Sequence, residues 1–249
     1  MILLFTDFGL EGPYVGQMKA VLHHEAPGIP QVDLMADAPS FDARAAAYLL
    51  AAYASAFPGG SVFLAVVDPG VGGARLPLVV AAGGQWFVGP DNGLLALAAR
   101  RVEGARAWQI TWRPAKLSAS FHGRDLFAPV AARLARGEDP PGTLCPVAGM
   151  VGADWPEDLA EIVYLDRFGN AVTGLRANRL QRDAALLAGG RRLERATTFS
   201  DVAAGSAFWY ENANGLVEIA VTQARADRLL GLEVGDAVEL VQEQPATDR

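Results

Sequence analysis

The sequence predicts an α/β domain over residues 1–154, built on a parallel sheet, followed by a mostly β domain over residues 155–249. Three observations predict it. Short apolar runs alternate with helix-period segments through the first half, an order that calls for strand–helix–strand crossovers. That alternation breaks into Gly, Pro and Asp over residues 145–158. Beyond the break, strand-like runs follow one another with one short helical stretch between them. At 249 residues the chain is long enough for either one large or two smaller cores.

Taken in order, residues 2–5 form the first strand. A helix follows over residues 13–25, with Val15, Met18, Val21 and Leu22 on one face. Residues 30–35 are a second strand and residues 41–56 an Ala-rich helix. Residues 61–67 are nearly all apolar, the signature of a strand covered on both faces. Residues 78–82 and 86–88, joined around Gly83 and Gly84, read as a hairpin. Helices over 93–101 and 126–136 complete the first half. In the second half, strands are predicted at 160–165, 171–175, 185–188, 216–221 and 237–241, with a short helix near 225–230 and a frayed tail at 242–249. No internal repeat or low-complexity tract occurs.

Half the residues are hydrophobic and a fifth are charged, as in a globular protein. A net charge of -7, with arginines scattered and only Lys19 and Lys116 as lysines, argues against a nucleic-acid surface. Cys145 is the single cysteine, so neither a disulfide framework nor a cysteine-built metal site is available. It has no base beside it and reads as a packing thiol. No apolar run approaches the roughly 20 residues of a membrane helix. The opening ILLF carries no charged leader, so a soluble, cytoplasmic protein without a membrane partner is expected.

Ligand crevices in open α/β sheets lie beyond the carboxyl ends of the strands. Asp7, Asp37, Asp68 and Asp91 all fall at predicted strand ends. Three readings fit these acids. A divalent-metal site is disfavoured, because no D-x-D pair occurs and no histidine lies near them in sequence. Capping of the following helix suits Asp37 and Asp91. Recognition of a ribose by two hydroxyl donors suits Asp7, where Gly9 and Gly12 allow close approach. The loop after Asp68, with Gly70, Gly72 and Gly73, lacks the spacing of a phosphate-binding motif. His23 and His24 end a helix, where partial positive charge is favourable. His122, between Phe121 and Gly123 and ahead of Arg124 and Asp125, fits either a satisfied loop histidine or an oriented functional one. Asp166-Arg167-Phe168-Gly169-Asn170 is either a plain turn or a loop offering a carboxylate, an aromatic face and a carboxamide.

Six segments occur in register along nearly the whole chain: TDFG at 6–9, VVDPGVGGAR at 66–75, GPDNGLL at 89–95, FHGRDLFAPVAA at 121–132, DRFGN at 166–170 and NGLVEIAV at 214–221. Together they resemble the S-adenosyl-L-methionine (SAM) hydroxide adenosyltransferases, relatives of the SAM-dependent fluorinating and chlorinating enzymes. The resemblance implies an α/β domain and a C-terminal β-barrel, assembled as a homotrimer with active sites at subunit interfaces. It implies hydrolysis of SAM to adenosine and methionine, with SAM as substrate and no metal or other cofactor. Asp68, Arg75 and His122 match the water-activating triad. Substrate contacts are implied at Asp7 for the ribose and at neighbouring Phe8. Asp166 would hold the methionine ammonium, and Phe168 and Asn170 the adenine. Glu218 and Val221 come from the last motif, and Asn212 lies two residues ahead of it. The family motif often has a Ser contacting the methionine carboxylate where this chain has Ala213, and Asn212 is a candidate substitute. Fluorinating relatives carry Tyr at the position of Asp68 and a halide-contacting Ser at that of Gly123, so this chain points to water as nucleophile. A SAM-dependent halogenase and a non-catalytic adenosine or SAM sensor are the alternatives.

Overall fold

The computed structural model describes residues 1–241, and the tail expected to fray at 242–249 lies outside the described residues. The chain divides into two compact units, Met1–Trp155 and Pro156–Arg249. No described helix is long and apolar enough to cross a membrane.

The first unit contains β1 (Ile2–Thr6), α1 (Tyr14–Glu25), β2 (Gln31–Met35), α2 (Ala43–Ala54), β3 (Val62–Val66), β4 (Pro77–Ala82) and β5 (Gln85–Pro90). It continues with α3 (Ala96–Arg100), β6 (Arg106–Ile110), α4 (Ala128–Ala135) and β7 (Gly142–Cys145). Its seven strands form one sheet in the order β2-β1-β3-β5-β4-β6-β7. The β2-β1-β3-β5 half is parallel and carries the buried runs that the sequence marks as central strands. From β5 outward the pairing is antiparallel. The cause is local: Gly83 and Gly84 have φ of 59° and 77°, a tight turn that reverses β4 directly onto β5. β6 and β7 were not expected from the sequence. β7 is the edge strand and β6 lies next to it, where residues such as Arg106 and Gln109 break the apolar pattern.

β1 and β3 are buried along their whole length. Met18 and Leu22 of α1 and Val130 and Leu134 of α4 join Ile2, Leu4, Val62 and Leu64 in one core. Each such side chain contributes about 1.5–3 kcal/mol on full burial, which holds the two strands and hence their carboxyl ends in place. The helix expected over 126–136 is two pieces. Gly123–Phe127 forms a wide π-helical turn, closed by the Ala128 N–H on the Gly123 carbonyl, and α4 follows. Pro129 lacks an N–H for an ordinary helical bond at that point, and the widened turn precedes it.

The second unit contains β8 (Leu159–Leu165), β9 (Ala171–Arg176), β10 (Ala185–Ala188), β11 (Arg191–Leu193), β12 (Ala207–Glu211), β13 (Leu216–Val221), α5 (Ala226–Leu230) and β14 (Glu239–Val241). Two antiparallel sheets result, ordered β12-β13-β9-β8 and β11-β10-β14. Isolated bridges join Glu161 to Ala237 and Arg195 to Trp209. Trp209 is fully buried among Ile162, Leu186, Val217 and Ile219, and its indole N–H donates to the Ala184 carbonyl at 2.9 Å. The short β11 and the aromatic β12 escaped the sequence reading.

Candidate active site

β3 delivers Asp68 two residues beyond its last paired position. Two successive turns then fold the loop back: Val71 N–H bonds the Asp68 carbonyl at 3.2 Å, and Gly73 N–H bonds the Gly70 carbonyl at 3.0 Å. Gly72, at φ 79°, supplies the left-handed residue that this reversal needs. Arg75 consequently returns to Asp68 as a two-pronged ion pair. Its Nε donates to Oδ1 at 2.9 Å and its Nη2 to Oδ2. The two side chains are only 10% and 4% exposed, so solvent screens this pair little. The face of Phe127 lies 5.4 Å from the guanidinium and confines it further.

His122, 47 positions from Arg75 in sequence, completes the cluster, with its Nδ1 3.0 Å from Arg75 Nη2. A guanidinium can only donate, so Nδ1 must accept and the imidazole proton sits on Nε2. Burial is the first cause that pushes the His122 pKa below its ordinary value, and the neighbouring Arg75 charge adds to it. The imidazole is therefore neutral and keeps Nε2–H as its donor. Asp68, His122, Phe8, Tyr14, Phe121 and Gly123 line a cavity of about 210 Å³. Phe8 meets Tyr14 and Phe121 at ring separations of 5.6 and 5.9 Å, making one wall aromatic.

Asp7 follows β1 and accepts the Phe41 N–H at 3.2 Å. Burial raises its pKa above the usual carboxylate range, partly offset by that N–H. Phe41 itself is 78% exposed and has φ 63°, a left-handed conformation uncommon for an aromatic residue. The sequence carries no signal for it: nothing in the local pattern places residue 41 beside residue 7. The helix caps expected at Asp37 and Asp91 fall elsewhere. Asp42 caps α2 by accepting the Ala45 N–H, while Asp91 accepts the Val151 N–H at 3.0 Å. Its own strand had already ended, so the carboxylate serves the chain segment packed against it.

The second unit holds a separate cavity of about 640 Å³, lined by Asp166, Phe168, Asn170, Tyr210, Glu218 and Val221 among others. Asp166 accepts the Asn170 N–H at 2.8 Å and Asn170 Nδ2 at 3.0 Å. That leaves the Asn170 carboxamide oxygen as the acceptor for a ligand. Phe168 is 75% exposed. Glu218 is buried and accepts from Tyr210 Oη on one oxygen and Asn212 Nδ2 on the other. Burial, then Glu218, drive the Tyr210 pKa upward, so the phenol keeps its proton. Tyr210 was not among the residues expected.

Asn212 Oδ1 accepts the N–H groups of Asn214 and Leu216, each at 3.0 Å. Its carboxamide is thus oriented towards Glu218. Arg225, the cation at this cavity, is engaged by Asp227 at 3.0 and 2.6 Å and by the Arg167 carbonyl at 2.9 Å. Two carboxylates, two neutral donors and an engaged arginine make a surroundings suited to a cationic ligand with an aromatic part.

A family model for the SAM hydroxide adenosyltransferase N-terminal domain matches residues 2–143, and one for the C-terminal domain of the same family matches residues 160–239. A protein from Thermus thermophilus named (R)-S-adenosyl-L-methionine hydrolase is 42% identical over 258 aligned positions, covering 96% of this chain and 99% of that protein. A relative of the same name from Salinispora tropica is 39% identical, covering 94% and 95%. Among solved structures, one of a conserved protein from Thermotoga maritima superposes with a TM-score of 0.87 at 30% identity, covering 97% of this chain and all of that one. Another, from Thermus thermophilus, has a TM-score of 0.78 at 41% identity, covering 96% and 99%.

Proposed function

The chain belongs to the SAM hydroxide adenosyltransferase family, and from that premise we propose that it is an enzyme hydrolysing SAM at C5′ to adenosine and L-methionine. The name shared by the relatives extends the reading to the (R) sulfonium epimer. One observation carries it within this chain: a proton acceptor, Asp68, and a fixed donor, His122, line one cavity, and one cation, Arg75, bonds both of them.

The leaving group dictates what the residues must do. Methionine departs as a neutral thioether and needs no proton, so the site has only the water to manage. The water oxygen attacks C5′ in line with the C5′–S bond, whose electron pair neutralises the sulfonium. His122 Nε2–H holds the water by one lone pair, leaving the other for carbon. Asp68 accepts the proton that becomes acidic as the C–O bond forms. Arg75 keeps Asp68 aimed and stabilises the developing charge. Full deprotonation of water beforehand is unnecessary, and no residue here is asked to do it.

The remaining contacts follow the charge and shape of each cavity. Asp7 takes the ribose hydroxyls, with Phe8 beside it, while Phe168 and the Asn170 oxygen take adenine. Val221 packs against the base. Asp166 holds the ammonium, and Glu218 adds the second negative charge of the pocket. Asn212 acts through Glu218, which leaves the methionine carboxylate to other donors. The bridges that link the edges of the two antiparallel sheets support a closed barrel. The family resemblance supports a trimer in which neighbouring subunits complete each other's site, with one half-site contributed by each kind of unit. A halide-using variant is disfavoured, since a side chain at Gly123 would meet Met18 Sδ at 3.3 Å and Phe121 at 3.4 Å from its Cβ.

The test is product analysis after incubation with each sulfonium epimer of SAM. Adenosine and methionine are expected in equal amounts, with Asp68→Ala at background. Formation of 5′-halo-5′-deoxyadenosine in chloride, or binding without turnover, would sink the assignment.

A further inference from the structure

The GPDNGLL segment lines neither cavity, yet one of its side chains reaches the backbone that carries Asp68. The β3 ladder to β5 ends at the Leu64–Val88 pair, and β3 itself ends at Val66. The Val67 carbonyl therefore lies past the strand, on a residue with no exposed surface. A buried carbonyl there needs a partner. Asn92 Nδ2 donates to it at 2.8 Å, and Asn92 Oδ1 accepts the Leu94 N–H at 3.2 Å. The second bond fixes which end of the carboxamide faces Val67.

Asn92 is itself held from both sides. Asp91 N–H bonds the Leu76 carbonyl at 2.8 Å and the Asp91 carboxylate takes the Val151 N–H. On the other side Gly93, at φ 98°, lies against the Trp155 ring. The Val67 carbonyl and the Asp68 N–H share one rigid peptide plane. Whatever orients that carbonyl therefore fixes the N–Cα bond of Asp68, leaving only rotation about it and the side-chain dihedrals to aim the carboxylate. Arg75 holds the carboxylate from one end of the residue, while Asn92 holds the peptide at the other.

We propose that Asn92 is a positioning residue of the reaction, fixing the Val67–Asp68 peptide so that the Asp68 carboxylate meets both Arg75 and the attacking water. Asn92 lines neither of the two cavities. The proposal rests on the hydrolysis reading above and adds to it the residue through which Asp68 is aimed. Near-attack geometry tolerates little displacement, and an error of about 1 Å costs on the order of 100-fold in rate.

The cleanest variant is Asn92→Asp, which keeps the acceptor for Leu94 N–H and deletes the donor to Val67. Turnover is expected to fall about 10- to 100-fold while KM and the adenosine Kd change less than about twofold. In an Asp68→Asn background the same change should cost less than about threefold, because the effect passes through Asp68. Equal losses in both backgrounds, or a weakening of adenosine binding that matches the loss of turnover, would overturn the proposal. Side-chain NMR of Arg75 provides a reading independent of activity. Its Nε–H, bonded to Asp68, should exchange with solvent at least about tenfold faster in Asn92→Asp. An unchanged exchange rate would also overturn it. Should the wild-type chain leave SAM intact, the hydrolysis reading fails on its own, and the exchange rate still decides whether Asn92 aims Asp68.

Discussion

At His122 the direction of one hydrogen bond fixes which groups can move a proton. Arg75 donates to Nδ1, so the imidazole offers a donor and Asp68 is left as the acceptor. Glutamine can reproduce that pattern, accepting from Arg75 and donating from its amide, whereas alanine cannot. His122→Gln is expected to lose about tenfold in kcat/KM and His122→Ala about 100-fold or more, measured under identical conditions. The pH dependence follows from the same contact. The folded pKa of His122 lies below its ordinary value, so as pH falls the unfolded chain takes up this proton first. The stabilisation from the neutral ring is thus complete above about pH 6.5 and declines below it. An acid limb in kcat/KM should fall in the same region, below the usual histidine value, and vanish in His122→Gln. Asp7 carries the opposite tension, because burial penalises its charge. Asp7→Asn should raise Tm slightly while weakening adenosine binding about 10- to 100-fold by calorimetry, a trade of stability against recognition.

Elements place these residues through turns more than through strands. At Gly93 an added Cβ would stand 2.7 Å from Trp155 Cζ2, on a backbone already left-handed. Gly93→Ala should therefore cost about 1–3 kcal/mol, read as a lower denaturation midpoint with an unchanged m-value. Such packing is invisible in sequence, where Gly93 and Trp155 are merely distant glycine and tryptophan. β1, β3 and α1 were legible because continuous or periodic apolar patterns match their burial. β7 was not, since an edge strand buries too little to enforce a pattern, and β6 was not because Arg106 and Gln109 interrupt its apolar residues although it is paired on both sides. The π-helical turn before α4 was missed for a related reason: it changes hydrogen-bond register without changing residue spacing. Asp68, Arg75 and His122 could be singled out by their motifs. That Arg75 bridges the other two, and that Phe41 supports Asp7, depends on loops from four separate parts of the chain.

Over the whole molecule, the residues divide between two units that each carry an open cavity. On the proposed reading, the first has the groups that activate water, and the second has the aromatic face and the negative charge for the rest of the ligand. On the trimer reading each active site takes its first half from one subunit and its second half from a neighbour. This makes a prediction that a self-contained subunit does not. Asp68→Ala disables only the first half, and Phe168→Ala combined with Asn170→Ala disables only the second. Each variant alone should be inactive, or nearly so. In trimers assembled from an equal mixture, a site is intact when its first half comes from the Phe168/Asn170 variant and its second from the Asp68 variant. Random assembly gives that pairing at about one site in four, so co-expression should restore about a quarter of the wild-type turnover per site. Mass measurement by light scattering would show the trimer directly. Restoration absent from a mixture shown to contain hybrid trimers would mean that both halves of each site come from one chain.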